Sequence, residues 1–326
     1  MSTMLLEVDN LVTRFYTEEG VVKAVDGNSF YLQEGESLGI VGESGSGKTV
    51  TALSVMRLIE NPGQIESGKI LFRGKNLLAK SEKQMQKIRG KDVAMVFQDA
   101  LSSLNPTLTI GEQIGRVVRF HTKFSQKKIQ HRVVELLKQV GIPEPEKRAT
   151  NYPHQLSGGM RQRALIAMAI SCNPAVLILD EPTTALDVTI EAQIFELVGQ
   201  LKESFGIGAI LITHDLAVVA NSCDRVIIMY AGRIVAEADV DVLYDRPLHP
   251  YTRGLLRSIP RLEEEGQDRL FSIPGEVPDL INLPEGCNFS PRCRYADERC
   301  WEVEPQLEER ASGRKVACWR LNEIDE

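Results

Sequence analysis

"GESGSGKT", Gly42 to Thr49, decides the fold of this chain. It fills every fixed position of G-x-x-x-x-G-K-[ST], and it stands between an apolar run, "SLGIV", and an amphipathic one, "TVTALSVMRLI". A strand that turns through glycines into a helix N-terminus is a phosphate cradle. Gly42 opens the turn. Small residues at Ser44, Gly45, Ser46 and Gly47 let backbone N–H groups turn inward, and the helix adds the positive end of its dipole. Lys48 then reaches the β- and γ-phosphates of ATP, Thr49 offers its hydroxyl to Mg2+, and Val50 is the next residue of the nucleotide-contacting run. An empty glycine-rich turn is the plainer alternative, and the strand-to-helix context argues against it.

Outward from this loop, "KILFRG", "DVAMVFQ", "AVLILD", "AILITH" and "RVIIMY" read as further strands, with helical patterns over Thr49–Leu58, Ile190–Lys202 and Leu216–Asn221. The expected fold is α/β: a mainly parallel core sheet with a small antiparallel β layer at the start. From Ala100 to Asn151 the strand signal disappears and helical patterns, Ile110–Phe120 and Lys127–Gln139, predict a helical subdomain at about residues 100–160. After Pro247 the composition shifts to proline-rich turns and cysteines. The expected domains are therefore residues 1–246 and a C-terminal accessory domain, 247–326.

"AVLILDEP" ends a buried strand in two acids, which are costly there unless they meet a cation. With the phosphate loop, Asp180 is expected to hold Mg2+ through water and Glu181 to orient and deprotonate the attacking water. Alone, two acids at this place are an ordinary solvated strand end. The balance of 38 basic and 45 acidic residues, net −7, creates no field for nucleic acid. No run reaches the ~20 apolar residues that cross a bilayer, and "MSTMLLEVDNLVTRFY" lacks a leader pattern, so a soluble, cytosolic chain is expected.

Between the two motifs stands "LSGGMRQR", Leu156 to Arg163. With it the chain resembles the ATP-binding subunits of ABC transporters along nearly its whole length. The resemblance implies an ATPase with Gln98 as the Q-loop glutamine and a further Mg2+ ligand, Ser157, Gly158 and Gly159 in the signature motif, Leu186 and Asp187 in the D-loop "TTALD", and His214 as the switch histidine. Phe15, or its neighbour Tyr16, resembles the aromatic that stacks on adenine. Each has a plainer reading: Gln98 a solvated edge residue, His214 a strand cap, Phe15 core. Ser157–Gly159 opens a helix, and a mere cap would not need both glycines. With one phosphate loop and one signature motif, the chain is expected to act as half of a two-site dimer, driving membrane subunits by closing around ATP and opening after hydrolysis.

The tail "RPLHPYTRGLLRSIPRL", Arg246–Leu262, and the following "IPGEVPDLINLPEGCNFSPRC" resemble the C-terminal region of dipeptide and oligopeptide importer ATPases, with His249, Pro250 and Tyr251 as the recognisable core. That resemblance implies peptide import, a second ATPase subunit in a homo- or heterodimer, two permease subunits, an indirect extracytoplasmic peptide-binding protein, and a place at the cytoplasmic face of the membrane. Importers of nickel or other small solutes are the alternative. A soluble ABC protein acting on ribosomes or DNA lacks its usual second cassette here, and a redox-sensing regulator remains a further rival.

Cys287, Cys293, Cys300 and Cys318 gather in the tail at spacings C-x5-C, C-x6-C and C-x17-C. Four thiolates satisfy a [4Fe–4S] cluster or Zn2+, and the spacing alone does not choose between them. Resemblance to the peptide importers implies the cluster. Cys172 and Cys223 read as core.

Overall fold

The computed structural model describes residues 3–184, 186–259, 271–310 and 313–321. Ala185 of the D-loop stretch and Pro260, Arg261 and Leu262 of the tail stretch lie outside them. In chain order the strands are β1 (Met4–Thr17), β2 (Gly20–Gln33), β3 (Ser37–Val41), β4 (Gly63–Phe72), β5 (Lys75–Asn76), β6 (Val93–Val96), β7 (Val176–Asp180), β8 (Gly208–Thr213), β9 (Arg225–Tyr230), β10 (Arg233–Asp239), β11 (Glu308–Arg310) and β12 (Arg314–Val316). Two compact units result: Met1–Leu6 with Leu32–Glu36 and Phe72–Leu211, and Glu7–Tyr31 with Ser37–Leu71 and Ile212–Glu326.

In the first unit β6 and β7 pair in parallel, Val93 opposite Val176 through Val96 opposite Leu179, and β8 lies on the other side of β7. All three are buried along their whole length, as uninterrupted apolar runs are when both sheet faces are covered. Between β6 and β7 the long elements are helical, including Ile110–His121, Gln126–Gln139 and Gly158–Ala169, so the expected helical insert is present. The first starts where Thr109 Oγ1 accepts from the Glu112 N–H at 3.2 Å, and ends with Arg119 and His121 on the negative end of the helix dipole. It packs on the helix Gln126–Gln139, and Ile114 and Val118 of the one and Ile129 and Val133 of the other are buried. A Cβ on Gly115 would lie 3.2 Å from Ile129 Cγ2, which is why the two helices can come this close.

In the second unit β3 and β9 pair in parallel, Leu38 opposite Arg225 through Val41 opposite Ile228. β10 adds antiparallel to β9 with a bulge between Ile234 and Ala236. β12 then pairs antiparallel with β10, and β11 with β12, so the order is β11–β12–β10–β9–β3. The late strands are pinned by charge: buried Glu237 on β10 takes Arg225 of β9 on one oxygen and Lys315 of β12 on the other, the latter at 3.1 Å. The same unit holds the run β2–β1–β4 of a separate sheet, which is the expected β layer at the start of the chain.

The boundary expected at 246/247 falls inside this unit. His249 is fully buried, and its Nδ1 accepts from the Tyr251 N–H at 3.1 Å, capping the helix Pro250–Arg257. Tyr251, Phe289 and Tyr230 at the end of β9 form an aromatic cluster with ring centroids 4.6 to 5.4 Å apart. Asn288 Nδ2 donates to the Ala231 carbonyl at 3.0 Å. The tail therefore shares its apolar core with β9 and β10, and Cys287 and Cys293 pack against that core.

Candidate functional site

The phosphate loop belongs to the second unit. Buried β3 delivers the chain to Gly42, and the helix Lys48–Met56 leaves from Gly47, whose φ of 97° lies in the left-handed region. A Cβ on Gly47 would run into the Ala24 carbonyl oxygen, and one on Gly42 into the Met229 carbonyl oxygen. Both positions therefore require glycine, and Gly45 follows suit at φ 77°. Lys48 is buried, with Nζ donating to the carbonyls of Gly42 at 2.7 Å and Glu43 at 2.9 Å. This folds its ammonium back over the loop. Thr51 Oγ1 closes the first helical turn on the Gly47 carbonyl at 2.9 Å, while Thr49 and Val50 are half-buried and Ser44 is exposed.

Of the two candidate aromatics, Phe15 is wedged against Gly63, where a Cβ would approach its ring to 2.6 Å. Tyr16 is 46% exposed and its hydroxyl donates to Glu66. The ring with a face to offer is thus the neighbour of the first choice. His214 is exposed just after β8. Asp215 turns the chain there, its N–H donating to Thr213 Oγ1 at 3.0 Å and its Oδ1 accepting from the Ala217 N–H at 2.7 Å.

The acids belong to the first unit. Asp180 ends β7 with 2% of its surface exposed, and Glu181 follows at φ 44°. That left-handed turn brings the Glu181 carboxylate to Gln98, whose Nε2 donates to Oε2 at 3.0 Å. The Thr184 hydroxyl donates to the same oxygen at 3.2 Å. Two motifs 83 residues apart thus share one hydrogen bond, and Thr184 is a partner that the sequence did not single out. The hard oxygens of Asp180 and Gln98 in this unit, and of Thr49 in the other, suit Mg2+ in kind.

Ser157 caps the helix Gly158–Ala169 by accepting from the Met160 N–H at 3.3 Å, and Asp187 caps the helix Val188–Phe205 through the Ile190 N–H at 3.1 Å. The signature glycines have a packing reason as well. A Cβ on Gly159 would lie 2.8 Å from Ile190 Cγ2, and one on Gly158 would lie 3.2 Å from Leu186 Cδ2. Hence Leu186 and Ile190 are seated directly on the signature glycines.

In the tail, Cys287, Cys293, Cys300 and Cys318 are free thiols. Burial first, and the charge of other members of the four second, push Cys287 up to about 12 and Cys318 to about 11. Against this, backbone hydrogen bonds from Phe289, Tyr295 and Arg320, each two residues on, favour the thiolates of Cys287, Cys293 and Cys318. Even so, among the described residues no group of three or more His, Cys, Asp or Glu side chains is placed to hold a metal ion. The four-thiolate site implied by the sequence is therefore not closed in this structure.

A phosphate loop on a parallel strand, an acid pair after a second buried strand and a signature helix define an ABC-type ATPase. The fold agrees: the dimeric structure of MJ0796, a bacterial ABC transporter cassette, covers 72% of this chain and 98% of its own at 28% identity and a TM-score of 0.66. The same cassette bound to ADP and Pi gives the same values. Residues 25–184 match the ABC transporter family, and residues 235–300 match the oligopeptide/dipeptide transporter C-terminal region. The oligopeptide transport ATP-binding protein AppD of Bacillus subtilis is 51% identical over 99% of this chain and 98% of its own length. The dipeptide transport ATP-binding protein DppD of Escherichia coli is 48% identical over 96% of each. The chain belongs to this family of ATP-binding subunits of oligopeptide and dipeptide ABC transporters.

Proposed function

We infer that this protein hydrolyses ATP to power the import of dipeptides or oligopeptides through associated permease subunits. What supports the peptide substrate above all is the near full-length identity with two peptide-transport ATPases, tail included. Deleting the gene and following uptake of labelled di- and oligopeptides tests it. Intact peptide uptake with lost uptake of nickel or another small solute would overturn the reading.

In the mechanism, Lys48 and the loop amides bind the β- and γ-phosphates, with Gly42–Thr49 as the cradle and Val50 beside it. Thr49, Gln98 and Asp180 are the residues that would hold Mg2+, which when bound would offset the phosphate charge. Glu181 accepts the proton of the attacking water, and the Gln98 and Thr184 hydrogen bonds aim its carboxylate. His214 acts at the γ-phosphate. Tyr16, in place of Phe15, stacks on adenine, a choice supported by its exposed ring. Ser157, Gly158 and Gly159 complete the site of a second ATPase subunit, so the working form is a dimer bound to two permeases at the cytoplasmic face, with a peptide-binding protein outside. Among the described residues no helix is long and apolar enough to cross a membrane.

The segment 247–326 is read as the accessory region of this importer class. Its four cysteines are assigned to a structural or regulatory [4Fe–4S] cluster, with Zn2+ as the alternative. Their mutual proximity and the amides directed at three of the sulfurs support it. Iron and zinc analysis of anaerobically purified protein decides, with Cys293→Ser expected to lose the metal while retaining nucleotide binding. Metal-free protein from iron- and zinc-replete cells would remove the cofactor from the reading altogether.

A further inference from the structure

Glu43 places an acid inside the phosphate cradle. It follows Gly42 directly, its own carbonyl accepts from Lys48 Nζ, and its carboxylate brings a negative charge to a loop that must receive a polyanion. The structure supplies an answer from the far end of the chain. Arg292 grips that carboxylate with both arms, Nη1 to Oε2 at 2.6 Å and Nη2 to Oε1 at 3.1 Å. Its side chain is only 3% exposed. The remaining donor positions are fixed too: Nε on the Pro274 carbonyl at 3.0 Å, Nη2 also on the Ile273 carbonyl at 3.2 Å, and Nη1 within 3.4 Å of the Tyr230 hydroxyl. A fork held on every side cannot swing away, so the pairing with Glu43 is built in and is not a chance surface contact.

A second tie reaches the same residue. The Tyr251 hydroxyl accepts from the Glu43 N–H at 2.9 Å, and the Tyr251 ring is fully buried against Tyr230 and Phe289. Tail residues 41 positions apart thus hold the side chain and the backbone of one loop residue, and one of them immediately precedes Cys293.

We propose that Arg292 and Tyr251 are positioning residues of the phosphate loop: Arg292 cancels the Glu43 charge, Tyr251 fixes the Glu43 amide, and the tail thereby sets nucleotide affinity. The inference rests on Gly42–Thr49 being the nucleotide loop. The two ties act before chemistry, so their loss is read in KM for ATP and not in kcat.

The test measures ATP hydrolysis and fluorescent-nucleotide binding on full-length Arg292→Gln, Glu43→Gln, the double variant, Tyr251→Phe and, as a control on the loop itself, Lys48→Ala. Arg292→Gln leaves a bare carboxylate facing the phosphates, and KM is expected to rise at least fivefold. The double variant lacks that carboxylate and is expected to return to within about twofold of wild type, although it has lost the same contacts to Pro274 and Ile273. A purely structural role for Arg292 predicts no such rescue, so a double variant as weak as Arg292→Gln overturns the charge argument. Tyr251→Phe keeps the ring, and is expected to raise KM two- to fivefold with kcat unchanged. Unchanged KM in both Arg292→Gln and Tyr251→Phe, with binding lost in Lys48→Ala, overturns the proposal while the loop reading stands. Unchanged binding in Lys48→Ala overturns both.

Discussion

Acidification should loosen the tail, because His249 is sealed in neutral form. Its Nδ1 is occupied as a helix-cap acceptor, its other nitrogen bonds the Ala317 backbone, and burial pushes its pKa down to about 3 from the ordinary 6.5. A depressed value means that the unfolded chain takes the proton first. The stabilisation is complete above about pH 6.5 and falls as pH drops toward 3. Between pH 7 and pH 5 the loss is about 1.5 pH units at ~1.36 kcal/mol each, or about 2 kcal/mol. Both tryptophans of the chain, Trp301 and Trp319, lie in the tail, and Trp319 is anchored by Nε1 on the Val303 carbonyl at 2.8 Å. Urea titration followed by tryptophan fluorescence therefore reports on this region directly. Wild type should lose about 2 kcal/mol more than His249→Asn between the two pH values, since Asn keeps a cap acceptor and does not titrate. Equal losses in the two proteins would refute the argument.

Glu181→Gln should retain ATP binding yet drop turnover by at least about a hundredfold, because it removes the base while keeping size and polarity; near-normal hydrolysis in single-turnover assays would remove Glu181 from that role. Gln98→Ala should lower kcat more than KM by freeing the Glu181 carboxylate, which steady-state kinetics will show. Tyr16→Ala should weaken nucleotide binding about tenfold in fluorescence titrations while leaving the melting temperature nearly unchanged, whereas Phe15→Ala should do the reverse, since its ring fills space against Gly63. Gly47→Ala combines left-handed backbone with a collision against the Ala24 carbonyl and should abolish nucleotide binding by calorimetry.

The nucleotide loop, the acid pair, the helical insert and the core strands could be read from the sequence because each depends on neighbours in the chain. A glycine turn must sit between its strand and its helix, and a strand buried on both faces, as β3, β7 and β9 are, is apolar over most of its length. Local pattern fails where a residue answers to a distant partner. β4 runs from Gly63, well before the apolar "KILF", because its first half is largely exposed and carries no hydrophobic signal. β11 is exposed along its length and β12 is three residues long, and these strands gain their place from pairing onto β10 and from Lys315 meeting Glu237. Which of the neighbouring rings, Phe15 or Tyr16, lies against Gly63 was likewise not legible locally, and the signature glycines proved to be seats for Ile190 and Leu186. The tertiary structure alone decided that Arg292 lies on Glu43, 249 residues away, because a buried charge is stable only where folding brings its counter-charge.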